Sequence, residues 1–169
     1  MKNLIFTFIL ILSFNSYSQD CEIFNIATFN LDFQLATRPL NPSLTHPVLD
    51  SGLTLYTLTP AMATVLYTNP PGIPYDSPGS VPYINTWRRQ VIPSGAYTNT
   101  PNALAMSIFT NSQKWDYVKW NVPGLSGFSG TGYYSIGQSV STPNSGAGTT
   151  VYFDCFNNGG PFLIVLQEY

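Results

Sequence analysis

The seven residues Lys114-Trp115-Asp116-Tyr117-Val118-Lys119-Trp120 gather three aromatic rings, two ammonium groups and a carboxylate within the length of one strand, and Trp87-Arg88-Arg89 repeats the ring-plus-cation combination upstream. In an extended backbone successive side chains point to opposite faces, so Trp115, Tyr117 and Lys119 are expected on one face and Asp116, Val118 and Trp120 on the other. Exposed rings beside hydrogen-bonding groups are what a sugar-binding surface needs, because the C–H-rich faces of a sugar stack on rings while its hydroxyls take polar partners. Trp87, Arg88, Trp115, Tyr117 and Lys119 are therefore the candidate binding residues. The competing expectation is that these rings are core or cross-strand pairs, as Trp and Tyr commonly are in β-sandwiches. The two expectations separate on whether Trp115 and Tyr117 are exposed together.

Residues for catalysis are sparse. His46 is the one histidine and precedes Pro47 in a loop-like stretch, which excludes a histidine-built zinc site by count. A Ser–His–Asp triad would have to use it, and no Gly-x-Ser-x-Gly supplies the nucleophile. Glycoside hydrolysis needs two carboxylates facing across a cleft. The acids are scattered and mostly adjoin turns, where Asp commonly bonds nearby backbone. No EF-hand spacing occurs. The stretch Ile26-Ala27-Thr28-Phe29-Asn30-Leu31 resembles the first strand of the endonuclease/exonuclease/phosphatase family, but that family's downstream Glu, Asp-x-Asn and Ser-Asp-His do not follow, so its chemistry is not carried over. No catalytic residue, metal or cofactor is expected.

Cys21 and Cys155 each share the apolar parity of an alternating segment, so both are expected to face the core. In an oxidising compartment two such thiols pair, and a Cys21–Cys155 disulfide is the expectation. Closing so long a loop would stabilise the fold by roughly 5 kcal/mol in the chain-entropy model. It would also place the first strand near the penultimate one.

The compartment is read from the other end of the chain. Lys2, the apolar run Leu4 to Leu12 and the polar Asn15-Ser16-Tyr17-Ser18 form the three parts of an export signal over residues 1–18, leaving a domain at residues 19–169. The apolar run is about half the roughly 20 residues that a membrane helix needs. Asp20 before Cys21 argues against lipidation, which requires a small residue there, and no membrane span is expected in the mature chain. The aromatic end at Tyr169 suits an outer-membrane barrel, but the unbroken apolar run Phe162 to Leu166 lacks the alternation of a barrel strand.

Without Lys2 the chain keeps eight acids against five bases, a net charge that speaks against nucleic acid as a partner. Charged residues are only 8% of the chain against about 25% in an ordinary domain, so a weakly repelling surface that permits self-association is expected. With 44% hydrophobic and 15% aromatic residues the chain has too much apolar surface to stay unfolded.

These residues need elements to hold them. Period-two alternation predicts strands over Ile23 to Phe33 and Thr149 to Phe156, and the apolar run Phe162 to Leu166 predicts a strand buried on both faces, joined to its predecessor by Asn157-Asn158-Gly159-Gly160 as a hairpin. Further strands are expected at Leu53 to Leu58, Val81 to Ile92, Trp115 to Val122 and, more weakly patterned, Tyr133 to Val140. Thr100-Pro101-Asn102 ahead of helically spaced apolar residues predicts one short helix ending near Ser112. Asn69 to Pro82 and Gly124 to Gly132 read as loops. Short strands with frequent turns predict an all-β fold, an antiparallel β-sandwich of jelly-roll or immunoglobulin-like kind. The function expected is that of a secreted or cell-surface non-catalytic module binding glycans or proteins. A structural or assembly subunit is the alternative, and a secreted hydrolase stands third.

Overall fold

Two sheets are built by strands whose apolar residues alternate inward, and a ring-on-ring contact joins them: Trp120 of one lies flat against Phe153 of the other, centroids 4.0 Å apart and planes 11° from parallel. The computed structural model describes residues 20–53, 55–60, 64–67, 84, 86–145, 148–157 and 162–169. The expected export segment, the loop Asn69 to Pro82 and the turn residues 158–160 lie outside them.

The strands are β1 (Cys21–Asn25), β2 (Leu31–Pro39), β3 (Val48–Asp50), β4 (Tyr56–Leu58), β5 (Thr64–Tyr67), β6 (Trp87–Gln90) and β7 (Thr98–Thr100), then, after the helix α1 (Asn102–Ser112), β8 (Gln113–Asn121), β9 (Ser129–Tyr133), β10 (Gln138–Asn144), β11 (Val151–Asn157) and β12 (Phe162–Glu168). The smaller sheet has the order β10-β11-β12-β1-β5. The larger has the order β7-β6-β3-β2-β8-β9, with β4 also paired to β2. Every pairing is antiparallel except β1 with β12. The architecture is the all-β sandwich with one short helix that the pattern predicts. One core runs between the sheets, with Ile23, Leu31, Phe33, Leu35, Phe153 and Ile164 fully buried.

The alternating stretch from Ile23 to Phe33 is two strands in two sheets, not one. Asn25 sits at the crossover, fully buried, its amide donating to the Phe29 and Leu58 carbonyls at 2.9 and 2.8 Å while its side-chain oxygen accepts from the Ala27 N–H. A polar residue in an apolar series thus satisfies the backbone that the corner frees.

Tyr133 to Val140 likewise divides into the end of β9, a turn and the start of β10. The glycine-rich stretch read as loose contains β9. Gly130 is required there because a Cβ would lie 2.8 Å from Trp120 Nε1, so the missing side chain makes room for the ring. The helix starts after the expected cap: the Pro101 carbonyl accepts from the N–H groups of both Leu104 and Ala105 at 3.0 Å.

The expected disulfide is not formed. Cys21 and Cys155 are both buried, as their parity predicts, but free. β12 lies between their strands, with Cys21 opposite Phe162 and Cys155 opposite Ile164. Two strand spacings of about 4.8 Å and a two-residue offset separate the cysteines well beyond disulfide reach. Alternation reports the face a residue points to, not which strand is its neighbour.

Candidate functional site

A single irregularity in β8 decides which of the candidate residues share a face. Along the β2–β8 ladder Ala36 opposes Tyr117 and Thr37 opposes Trp115, so Asp116 is an extra residue with no partner across. Such a bulge inverts the alternation on one side of it. Trp115 therefore turns inward, 2% exposed, its ring centroid 6.3 Å from that of Trp87, which is 5% exposed. Trp120 also faces inward. Tyr117 and Lys119 remain outward. The expectation that Trp115, Tyr117 and Lys119 share one face is thus overturned: Trp87 and Trp115 are core, while Arg88, Tyr117 and Lys119 lie on the outer face of the larger sheet.

Paired residues across antiparallel strands share a face, which gives that outer face a continuous row: Asn99, Arg88, Asp50, Ala36, Tyr117 and Tyr133, on β7, β6, β3, β2, β8 and β9. Six strands at about 4.8 Å spacing make it about 24 Å long. Each end carries an aromatic–cation group. At one end Tyr117 and Tyr133 meet with centroids 4.6 Å apart, the Arg38 guanidinium carbon lies 3.5 Å from the Tyr133 ring centroid, and the Tyr117 hydroxyl contacts Thr131 Oγ1 at 2.6 Å. At the other, Arg88 donates to both Asp50 oxygens, at 2.9 and 2.6 Å, with its guanidinium carbon 4.8 Å from the Tyr97 ring centroid. Charge-assisted two-point bonding and ring contact fix both guanidinium groups in place. Between the two groups Ala36 and Asp50 are buried, 2% and 5% exposed. Beyond Arg88 opens a cleft of about 650 Å³, lined among others by Leu53, Thr86, Asn99, Thr100 and Asn102.

The bulge also sets the electrostatics. Asp116 is 2% exposed, and its Oδ1 finds no hydrogen-bond partner among the described residues. Burial pushes its pKa up to about 7 against the opposing attraction of Arg38, 3.4 Å away, and Lys114. Burial likewise raises the Tyr97 and Tyr133 phenols above their ordinary value, so both stay neutral hydroxyl donors at physiological pH. Arg88 is held protonated by its hydrogen bonds to Asp50.

No family model, curated protein or solved structure matches the chain. What the face can do follows from its own side chains: ring surface, fixed cations, neutral hydroxyls and amides, and a weak net charge. Tyr97, Tyr133, Arg38 and Asp50 belong to it and were not among the sequence candidates. No spacing in the sequence links them, and the cross-strand register brings Tyr133, Arg38 and Asp50 onto one face. Among the described residues no group of three or more His, Cys, Asp or Glu could hold a metal ion. His46 contacts Gln90 Oε1 at 3.1 Å through Nε2 and Thr45 through Nδ1, away from the tyrosine pair.

Proposed function

We propose that the protein is a secreted or cell-surface, non-catalytic β-sandwich module that binds glycans through the outer face of its larger sheet. The observation that carries this reading is the half-exposed Tyr117–Tyr133 pair, set at one end of a cross-strand row that also holds the Arg88 guanidinium and the Asn99 amide. Ring surface for sugar C–H faces and fixed donors for sugar hydroxyls are the two things such a ligand asks for. Of the acids on this face, Asp50 is committed to Arg88, Asp32 accepts from Thr57 at 2.6 Å and Asp116 is buried beside Arg38, an arrangement that favours binding over catalysis. The composition of residues 1–18 is the support for an extracytoplasmic location.

The test is a glycan array probed with wild type, Tyr117→Ala and Tyr133→Ala, each checked for an unchanged melting temperature. Losing a stacked ring is worth on the order of 0.5–1.5 kcal/mol beyond its area, so retention should fall several-fold on loss of either ring. Wild type retaining no glycan of any class would end this reading.

A structural or assembly role is the second reading, and one observation favours it. The outer face of the smaller sheet lines up Phe156 with Leu163 in one cross-strand row and Val165 with Phe24 in the next, all half-buried and apolar. A surface of this kind suits packing against another copy.

A further inference from the structure

The charges of the chain divide between its sheets. The strands of the smaller sheet contain no Lys or Arg and carry Glu22, Asp154 and Glu168. The five cations of the described residues, Arg38, Arg88, Arg89, Lys114 and Lys119, all stand on β2, β6 and β8 of the larger sheet. Cross-strand register puts four of them outward. Arg88 pairs with Asn99 and Asp50, Arg38 with Lys114, and Lys119 with Thr131.

Their availability differs. Arg88 is neutralised by the two-point bond from Asp50. Lys114 and Lys119 make no ion pair among the described residues, and Arg38 stands at 3.4 Å from Asp116. The uncompensated positive charge therefore lies at the β2–β8 end of the row, around the tyrosine pair. Lys114 and Lys119 are separated by roughly 15 Å of strand, with Tyr117 between them. That spacing suits an extended chain that presents anionic groups at separated points along its length, not a single small anion. The excess is also slight, because Asp50 pairs with Arg88 and Asp116 stands beside Arg38, which leaves Lys114 and Lys119. Densely charged phosphate backbones are bound by larger basic faces. A chain of sugars with intermittent carboxylates matches rings, hydroxyl partners and sparse cations at once.

We propose that this face takes a uronate-bearing polysaccharide, with Lys114, Lys119 and Arg38 holding its carboxylates and the Tyr117–Tyr133 pair stacking on its rings. The proposal rests on the glycan-binding reading above and names its ligand class.

The experiment titrates the full chain calorimetrically at low salt with oligogalacturonate and with the same oligomer after its carboxyls have been reduced to alcohols. Wild type should bind the uronate at least tenfold more tightly. The double variant Lys114→Gln/Lys119→Gln, with its melting temperature unchanged, should lose about tenfold in affinity, the worth of two partly exposed ion pairs, and raised salt should erase the difference. Equal binding of the acidic and the reduced oligomer would overturn the uronate assignment and leave a neutral-glycan site standing. Binding of neither would overturn the glycan reading with it. Concentration-dependent dimers in sedimentation, abolished by the double variant while neither oligomer binds, would give the face to the acidic sheet of a second copy and refute both.

Discussion

Replacing Asp116 by Asn tests the bulge directly, because it keeps the shape of the side chain and removes its titration. Burial holds the carboxyl at about 7, against 3.8 for an ordinary aspartate. Across that window the native state keeps a proton that the unfolded chain has already released. Stability therefore falls as pH rises, by about 1.4 kcal/mol per pH unit, and stops falling above the folded value. Over about three pH units the wild type should lose about 4 kcal/mol from this one group. The phenol of Tyr133 that faces it does not confuse the measurement, since burial raises it and it stays neutral over this range. Urea denaturation of both proteins at pH 4, 5.5, 7 and 8.5 would give the stability of Asp116→Asn minus that of wild type, in which other titrations cancel. That difference should climb with pH by up to about 4 kcal/mol and level off above 7. A flat difference, or one that shrinks as pH rises, would refute the placement of an unsatisfied carboxyl inside the bulge.

The cysteines should be reduced: alkylation of the unfolded, non-reduced protein should label two thiols and the native protein none at pH 8, since burial raises Cys21 well above its ordinary value and Cys155 to about 12. Mass-resolved counting checks this, and an unlabelled, oxidised pair would contradict the intervening β12. Trp115→Ala should destabilise the fold by roughly 3–5 kcal/mol through lost burial and a cavity, while Tyr117→Ala should leave the melting temperature almost unmoved, as two melting curves would show.

The fold class was legible because period two survives in β1 and in much of β8 and β11, and the burial pattern of β1 repeats the alternation its sequence predicts, whereas in β11 Asp154 is buried along with its neighbours. Strand ends were not, because a corner residue such as Asn25 continues the rhythm of its neighbours while the chain crosses between sheets. β9 went unread since Ser129-Gly130-Thr131-Gly132 carries no apolar face of its own, its inner side being filled by Trp120 reaching from β8. The site was half legible. Arg88, Tyr117 and Lys119 were found from the combination of rings and cations, but Trp87 and Trp115 were put with them. One inserted residue, Asp116, reverses alternation, and nothing in the identity of an aspartate announces a bulge.

The parallel pairing of β1 with β12 has a consequence for the order in which the domain can assemble. β12, made last, is the central strand of the smaller sheet, and it separates β1 from β11. The contact of Cys21 with Phe162 joins nearly opposite ends of the chain, so its loop-closure entropy must be met before any part of that ladder is gained. The larger sheet can pair largely from segments made earlier, whereas the smaller one stays divided into β10–β11 and β1–β5 until Phe162–Glu168 arrives. Such high contact order implies slow folding. A chain stopped just short of β12 would leave the edges of both neighbouring strands open to other chains.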